Sequence, residues 1–387
     1  MIHFNRPYMT GKETEYIRQA VESGKISGNG AFTRRCQEFF ERRYGFRKCL
    51  LTTSCTDALE MAAILSGVGP GDEVIVPSYT FVSSALAFVR QGATVVFADS
   101  GASHPNVDAA GLEALVTPRT KAIVPVHYAG AACDMDTIME VANRHGLVVV
   151  EDAAQAVDSF HVGSGGARRP LGSIGHLAAF SFHETKNVIA GEGGMLVVND
   201  ERFVRRAEII WEKGTNRAEF FRGEVNKYGW VDTGSSFLPS EVVSAFLWAQ
   251  LERLDEIQSE RLRIWDRYMD CFVSLGRRAG WPELPTVPPQ ATNNAHMFYL
   301  LYPGLAERTD FIAKMRERDV LTVFHYLPLH SSEFYHEYVK SHPPSISVPE
   351  RLPNCERYAD TLVRLPLYCG LGADQDRVMD AIKESLP

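Results

Sequence analysis

The chain has 387 residues, 45% hydrophobic and 23% charged, a composition typical of globular proteins. Its formal net charge of −8 argues against non-specific nucleic-acid binding, which requires a basic surface. The length allows one large domain and one smaller domain.

The first residues, "MIHFNRPYMTGKETEYIRQA", lack the charged start and apolar core of a signal peptide. No run of about 18 apolar residues occurs, so we expect no transmembrane helix. The seven cysteines are scattered and include no C-x-x-C pair, which favours neither a disulfide framework nor a zinc site. We therefore expect a cytoplasmic protein with no metal and no membrane partner.

Apolar runs alternate with helical patterns through the first part of the chain. The runs predict strands at 73–81, 94–99, 121–129, 147–154 and 176–183, and the patterns predict helices at 58–68 and 135–146. This alternation implies an α/β fold with a mostly parallel sheet covered on both faces. Ligands of such sheets bind beyond the carboxyl ends of the strands.

A long helical pattern from Pro239 to Leu275 connects this core to a smaller C-terminal unit. The patterns there predict strands at 296–303 and 320–329, helices at 308–318 and 373–386, and a proline-rich loop at 341–353. We expect a large domain of residues 1–255 and a small C-terminal α/β domain of residues 256–387.

Strand 147–154 contains two acids, Glu151 and Asp152, near its end. They could be solvated acids at a strand terminus. A second interpretation, the magnesium-binding aspartate of a phosphate-loop ATPase, is disfavoured because no G-x-x-x-x-G-K-[ST] occurs.

The stretch "LLTTSCTDALEMAA" (50–63) follows a short apolar run and opens a helix. Ser54, Cys55 and Thr56 would expose backbone N–H groups at the helix N-terminus, which is an anion site. The alternative is an N-cap by Thr56 or Asp57 without any ligand, and the motif alone favours that alternative.

Two further strand ends carry candidate residues. "PSYTFVSSA" places Tyr79 and Phe81 where an aromatic side chain joins the core or stacks on a flat ring. "SFHETKN" places Ser181, His183 and Lys186 in a turn before a glycine-rich stretch. Burial lowers the pKa of a lysine, so Lys186 is either a chance surface residue or an amine kept for chemistry.

These features together meet the requirements of pyridoxal 5'-phosphate. That cofactor needs a lysine for a Schiff base, an acid beside its pyridine nitrogen, an aromatic ring to stack on it and a cup for its phosphate. The sequence therefore predicts a pyridoxal-phosphate enzyme in which Lys186 holds the cofactor.

The strings "FSFHETKN" and "EDAAQA", with others in the same order along nearly the whole chain, resemble the DegT/StrS family of sugar aminotransferases. The resemblance implies the type I aspartate-aminotransferase fold and transamination. It also implies that Lys186 forms the Schiff base, Asp152 pairs with the pyridine nitrogen and Gln155 bonds the ring hydroxyl. Phe81 would stack on the ring, and the phosphate would be held by Cys55, Thr56 and Ser181.

The family resemblance also implies a homodimer with shared active sites. In most members an asparagine in a "GYNYR" string reaches the phosphate of the neighbouring subunit, and here Ser236 in "GSSFL" occupies that place. A second departure is the glycine-rich insertion "VGSGGARRP" (162–170), which we expect to lengthen a surface loop and to leave Arg168 and Arg169 in solvent.

The strings "EKGTNRAEFFRG" and "GSSF" resemble a subgroup that aminates C4 of TDP-4-keto-6-deoxy-D-glucose with L-glutamate, in the biosynthesis of common antigen or lipopolysaccharide. The implied product is TDP-4-amino-4,6-dideoxy-D-galactose. Donors for the nucleotide would be Lys213, Asn216, Arg217 and Arg222, whose alternative role is a solvated helix end. Another keto sugar nucleotide (a gluco epimer or C3 amination) and a non-catalytic sensor remain alternatives. A dehydratase is disfavoured, because dehydratases of the family carry histidine in place of Lys186.

Overall fold

The computed structural model describes residues 1–163, 165–276, 280–346 and 351–386. The helices are α1 (Glu13–Glu22), α2 (Ala31–Tyr44), α3 (Cys55–Ser66), α4 (Ser83–Val89), α5 (Met135–His145), α6 (Glu201–Trp211), α7 (Arg217–Phe221), α8 (Glu241–Leu251), α9 (Leu254–Leu275), α10 (Leu305–Glu317), α11 (Glu333–Ser341), α12 (Pro353–Thr361) and α13 (Asp374–Ser385). The strands are β1 (Lys48–Thr52), β2 (Glu73–Pro77), β3 (Thr94–Ala98), β4 (Thr120–Ile123), β5 (Val148–Asp152), β6 (Phe160–Val162), β7 (Arg168–Pro170), β8 (Leu177–Ser181), β9 (Gly194–Val198), β10 (Phe298–Leu301), β11 (Val323–Phe324) and β12 (Leu362–Leu365).

The described strands of the large sheet run in the order β1-β9-β8-β5-β4-β2-β3. Pairing is parallel from β8 through β5, β4 and β2 to β3, and β9 is antiparallel to both β1 and β8. Strands β2, β3, β8 and β9 are buried along their whole length, as expected when helices cover both faces. The predicted α/β fold with a mostly parallel sheet is confirmed.

Several predicted strands are shorter in the structure. The run 73–81 is a strand only to Pro77, and 121–129 only to Ile123. Beyond them, Tyr79 is buried in a bend and Tyr128 begins a buried 3-10 turn, and an apolar run alone does not distinguish such segments from a strand. Of the predicted strand 320–329, only β11 is a strand in the structure. An extended strand cannot continue through Tyr326, whose φ is 51°.

The C-terminal unit is built on an antiparallel sheet of order β10-β12-β11. The helical pattern 239–275 is two helices, α8 and α9, and the predicted domain boundary after residue 255 falls in the first turn of α9. That boundary stays a prediction, and Ile2 from the start of the chain packs in the core of this unit. Of the predicted loop 341–353, residues 347–350 lie outside the described residues.

The insertion 162–170 is exposed over residues 165–169, as expected of a surface segment, and it includes strand β7. It connects β6 and β7, which pair as an antiparallel hairpin, with residue 164 outside the described residues. Arg169 forms an ion pair with Asp136, and the Arg168 guanidinium lies 4.4 Å from the centre of the Phe160 ring. Both arginines are exposed to solvent, as expected, and both also have a partner on the chain itself.

The N-terminus of α2 is capped from a distant part of the chain. Its N-cap residue, Gly30, has no capping side chain, and the Glu241 carboxylate of α8 accepts the N–H groups of Gly30, Phe32 and Thr33 at 2.7–3.0 Å. A Cβ on Gly30 would overlap that carboxylate, so glycine allows the carboxylate to come this close to the helix end. One buried side chain thus joins α2 to α8.

Glu241→Gln should lower the free energy of unfolding by about 2 kcal/mol, because the amide NH₂ would face a backbone N–H donor and leave it unpaired. Denaturant unfolding measures this change. The matched control is Glu256→Gln on the surface of α9, where an exposed ion pair with Arg253 contributes less than about 0.5 kcal/mol. Equal effects of the two substitutions would contradict the capping role.

Candidate active site

The carboxyl ends of β1, β5 and β8 border a cavity of about 440 Å³. Its wall brings together most of the residues singled out from the sequence, which come from four separate stretches: Cys55, Thr56, Phe81, Asp152, Gln155, Ser181, His183 and Lys186. Tyr79 does not line it; this ring is buried in the core, where its hydroxyl donates to the carbonyl oxygen of His325.

Asp152 ends β5 and turns its carboxylate into this cavity. Its Oδ1 accepts the Ala154 N–H at 3.1 Å, and its Oδ2 accepts the Ser84 hydroxyl at 2.6 Å. Ser84 is fully buried on α4, and its oxygen lies 2.9 Å from the hydroxyl of Thr80. The carboxylate is therefore held in one orientation by two donors that sequence analysis did not identify.

Ser84→Ala should lower kcat/KM for transamination about 5- to 20-fold, since the lost hydrogen bond contributes about 1–2 kcal/mol to the position of Asp152. Steady-state kinetics and the cofactor absorbance spectrum measure it. Ser244→Ala is the control, because Ser244 is an equally buried serine outside the cavity. An unchanged rate in Ser84→Ala would contradict the positioning role.

Glu151, the neighbour of Asp152, points away from the cavity because successive side chains of a strand alternate. It is fully buried and accepts the N–H groups of Gly172, Ile174 and Gly175 as well as a bond from His127 Nε2 at 2.9 Å. Burial raises its pKa, but the His127 bond and the backbone donors outweigh burial and lower it. Glu151 therefore anchors a loop, and the interpretation as a solvated acid at a strand terminus, one of those left open by the sequence, does not describe it.

The start of α3 offers donors to an anion. The N-cap is Ser54, not Thr56 or Asp57 as predicted, and its Oγ accepts the Asp57 N–H at 3.0 Å. Within the described part of the chain this leaves the N–H groups of Cys55 and Thr56 without a partner. A Cβ on Gly194 of β9 would overlap the backbone of Ser54, so glycine allows the close approach of these two segments.

The side chain of Gln155 has a fixed orientation. Its Oε1 accepts the Ala129 N–H at 2.6 Å, and its Nε2 donates to the Tyr326 hydroxyl at 3.2 Å. The NH₂ group therefore lies on the cavity side, where its second hydrogen can reach an oxygen acceptor. Phe81 stands at the mouth of the cavity with its side chain 56% exposed, 6.2 Å from the Tyr326 ring centre.

Lys186 lies in the turn after β8, where its N–H donates to the carbonyl oxygen of His183. Burial in the cavity wall lowers the pKa of its amine from the ordinary value of a lysine, while nearby Cys55 and Asp152 act in the opposite direction. Lys186 is not a chance surface residue, and a less basic amine is easier to deprotonate for chemistry.

Four cavity residues come from the C-terminal unit and were missed from sequence: His296, His325, Tyr326 and Arg364. Burial lowers the pKa values of both histidines well below the ordinary range, and the Lys186 and Arg364 cations lower them further. The Asn187 amide donates to Gln258 and to a carbonyl oxygen, so its Oδ1 accepts from His296 Nδ1 at 2.9 Å. No local pattern marks these positions, because only the packing of the two units brings them to the cavity.

The remaining predicted residues do not line the cavity of their own chain: Ser236, Lys213, Asn216, Arg217 and Arg222. Ser236 is exposed, and its backbone forms an isolated antiparallel β-bridge with Glu212. Arg222 pairs with Glu208 at 2.8 Å and with Glu224 at 2.7 Å, and Asn216 Oδ1 accepts the Gly229 N–H at 2.8 Å. Their role in binding a nucleotide stays a prediction.

Comparison with known proteins identifies the class. Residues 7–383 match the model of the DegT/DnrJ/EryC1/StrS aminotransferase family. The chain is 33% identical over 392 residues to the spore coat polysaccharide biosynthesis protein SpsC of Bacillus subtilis, which covers 98% of this chain and 96% of SpsC. It is 34% identical over 385 residues to the GDP-perosamine synthase of Caulobacter vibrioides, with 98% and 97% covered.

Among solved structures, the PMP-form of Spr1654 from Streptococcus pneumoniae superposes with a TM-score of 0.87 at 25% identity, covering 100% of this chain and 99% of that one. The fold and site thus define a pyridoxal-phosphate-dependent aminotransferase. The protein belongs to the DegT/DnrJ/EryC1/StrS family of sugar aminotransferases.

The wall of the cavity suits pyridoxal phosphate by its own chemistry. The free N–H groups of Cys55 and Thr56 match a phosphate, the NH₂ of Gln155 matches a ring oxygen, and the Asp152 carboxylate matches a protonated ring nitrogen. Within the described ranges, the helices include none that is long and apolar enough to cross a membrane.

Proposed function

We propose that the protein transfers the amino group of L-glutamate to C4 of TDP-4-keto-6-deoxy-D-glucose. The products would be TDP-4-amino-4,6-dideoxy-D-galactose and 2-oxoglutarate. The observation that carries the amino transfer is the meeting of Lys186, Asp152 and Gln155 on one cavity wall. Bound pyridoxal phosphate supplies a carbonyl carbon that exchanges with amines and a ring that withdraws electrons.

Each residue of the wall has a task set by its atoms. Asp152 offsets the charge of a protonated ring nitrogen, and an opposite charge at contact distance keeps that proton in place. Gln155 would donate from Nε2 to the ring oxygen, and Phe81 would pack on the ring face. Cys55, Thr56 and Ser181 would hold the phosphate at the start of α3.

Lys186 holds the cofactor and later moves a proton. With the cofactor and the donor amino acid bound, the Lys186 Nζ would take the proton from the donor Cα as a general base. A general base works best when its pKa lies near the operating pH. Burial and the neighbouring Arg364 cation both lower the pKa of Lys186 in that direction.

The choice of sugar nucleotide is supported by the strings "EKGTNRAEFFRG" and "GSSF". The same segment carries the candidate nucleotide donors Lys213, Asn216, Arg217 and Arg222, with Arg217 stacked on the ring of Phe221 at 5.1 Å. Because a relative at 34% identity is a GDP-perosamine synthase, a GDP-linked keto sugar is the second candidate substrate.

The test incubates the pyridoxal-phosphate-loaded protein with L-glutamate and TDP-4-keto-6-deoxyglucose, with a GDP-linked 4-keto sugar in a parallel reaction. We expect NMR to identify an axial C4 amine on the TDP sugar. An equatorial C4 amine would refute the stereochemistry alone, whereas a C3 amine or turnover of the GDP sugar only would refute the substrate. No exchange with glutamate would mean a non-catalytic binding protein.

We further propose a homodimer in which the partner subunit's Ser236 completes the phosphate site. Support comes from the segment around this position, which exposes the apolar side chains of Phe221, Trp230 and Val231, with Trp230 84% exposed. Contiguous exposed apolar surface is a sign of an interface. A two-fold axis would bring each segment to the other chain's cavity. The cytoplasmic location stays a prediction.

Mixing inactive Lys186→Ala protein with an inactive Ser236→Trp variant should restore part of the activity. In a mixed dimer, one of the two sites combines an intact Lys186 with an intact Ser236. Assay after subunit exchange measures this, with each variant alone as control, and sedimentation gives the oligomeric state. A fully active monomer, or no recovery in proven mixed dimers, would contradict the shared site.

A further inference from the structure

Asn187 follows Lys186 in the chain and is buried, and its side chain holds His296 of the C-terminal unit. Its Nδ2 donates to the carbonyl oxygen of Asn294 at 2.9 Å and to Gln258 Oε1 at 2.8 Å. A carbonyl oxygen can only accept a hydrogen bond, so the amide nitrogen of Asn187 must be the atom that faces Asn294. The amide oxygen therefore faces Nδ1 of His296, at 2.9 Å.

This contact fixes where His296 carries its ring proton. The oxygen of Asn187 cannot donate, so Nδ1 must bear a hydrogen. Burial lowers the pKa of His296 well below the ordinary histidine value, and the Lys186 and Arg364 cations lower it further. The ring is therefore neutral, with one proton on Nδ1, and the second nitrogen, Nε2, keeps its lone pair.

Nε2 of His296 lacks a donor among the described groups. His296 lines the cavity, and because its Nδ1 faces Asn187, Nε2 lies on the other side of the ring. It is not one of the described buried polar atoms that are sealed from solvent without a partner. A bare ring nitrogen accepts a hydrogen bond, so the cavity wall offers an acceptor to a bound molecule here.

His104, a buried histidine in a bend, has the opposite arrangement. Its Nδ1 accepts the backbone N–H of Asn106 at 3.1 Å, and burial lowers its pKa to about 3, so its one proton lies on Nε2. His104 does not line the cavity. His296 differs because a side-chain oxygen faces its Nδ1 and because its free nitrogen belongs to the cavity wall.

We propose that Asn187 positions His296 so that Nε2 accepts a hydrogen bond from the C3 hydroxyl of the keto sugar. The inference rests on the proposed function and specifies how that substrate is bound. Asn187 would then be a positioning residue, and His296 would touch the sugar itself.

The chemistry of the other bound groups leaves the sugar as the source of the donor. The protonated ring nitrogen of pyridoxal phosphate would donate to Asp152, and the carboxylates of the amino donor can only accept. The sugar hydroxyls are donors, and C3 is one bond from the keto carbon that must come to Lys186. The Lys186 amine is near enough to His296 to act on its pKa, so a hydroxyl beside the reacting carbon can reach Nε2.

The first test locates the ring proton directly. Protein with nitrogen-15 histidines, loaded with pyridoxal phosphate, is measured by NMR, which distinguishes a protonated from a bare ring nitrogen, and His296→Gln identifies the signal. We expect a proton on Nδ1 and a bare Nε2, also at about pH 6, below the ordinary histidine pKa of about 6.5. A proton on Nε2 of the wild type would overturn the inference.

Asn187→Asp tests the positioning role with the same measurement. A carboxylate beside Nδ1 favours the imidazolium, so Nε2 of His296 should gain a proton and should no longer accept from the sugar. An unchanged proton pattern in folded Asn187→Asp protein would show that Asn187 does not set it. If this variant does not fold, the wild-type spectrum and the His296 variants still decide the inference.

The second test identifies the hydroxyl by binding without turnover. Calorimetry compares TDP-4-keto-6-deoxyglucose with its 3-deoxy analogue on the pyridoxal-phosphate-loaded protein, with no amino donor present. The wild type should bind the analogue about 3- to 10-fold more weakly, the range for one hydrogen bond. His296→Asn has no atom at the Nε2 position, so it should bind the two sugars equally within about twofold. His104→Asn, the matched control, should keep the wild-type difference.

His296→Gln separates the loss of the acceptor from a loss of packing. Its amide lies near the Nε2 position and its oxygen can accept, so it should recover part of the difference between the two sugars. A full difference in His296→Asn would refute the role of His296, and equal binding of both sugars by the wild type would refute the hydroxyl. If the wild type bound neither sugar, the proposed substrate would fail and this inference with it.

Discussion

Lys186→Ala is expected to abolish turnover and to weaken cofactor binding. The purified wild type should be yellow, and borohydride should bleach the colour and attach the cofactor covalently to the peptide that contains Lys186. The alanine variant should show neither change, because no other described lysine lines the cavity. The measurements are the visible spectrum, the mass of the reduced peptide and a transaminase assay.

Lys121→Ala is the matched control for this experiment. Lys121 is an exposed lysine on β4 outside the cavity, so its removal should change neither the colour nor the rate. Appreciable transamination by Lys186→Ala, or cofactor attached to another lysine, would show that Lys186 is not the anchor.

Asp152→Asn should lower kcat about a thousandfold or more. The substitution keeps the shape of the side chain, so its contacts with Ser84 and Ala154 can still form. It removes the negative charge that would face the ring nitrogen. Losing a buried charge partner costs several kcal/mol, about 3–5 in the usual range. At about 1.4 kcal/mol per tenfold, this corresponds to a rate loss of at least about a thousandfold.

Asp158→Asn is a control with the same change of charge outside the cavity. Asp158 has a left-handed φ of 60°, a conformation that asparagine accepts as readily as aspartate, and its carboxylate contacts Arg43 and Tyr44. Its rate should stay within about twofold of the wild type, since Asp158 does not line the cavity. Near-wild-type turnover by Asp152→Asn would mean that another acid serves the ring nitrogen.

The structure brings together on one cavity wall those predicted residues that follow strands. Asp152, Ser181 and Lys186 come at or just after apolar runs, and the carboxyl ends of parallel strands meet at one edge of the sheet. Their positions relative to strands therefore place them together before any contact is known.

The sequence by itself determined the α/β class, the strand ends that supply Cys55, Asp152, Gln155 and Lys186, and through them the pyridoxal-phosphate chemistry. The fold class and the strand ends can be predicted locally, because they follow from the apolar periodicity and from the order of strands and helices along the chain. Only the tertiary structure decided that Ser84 orients Asp152, that Glu241 caps α2 across about 200 residues of chain, and that Arg364 enters the cavity without an acidic partner among the described residues. Each of these depends on contacts between segments far apart in sequence, and no short pattern specifies which buried polar group meets which partner.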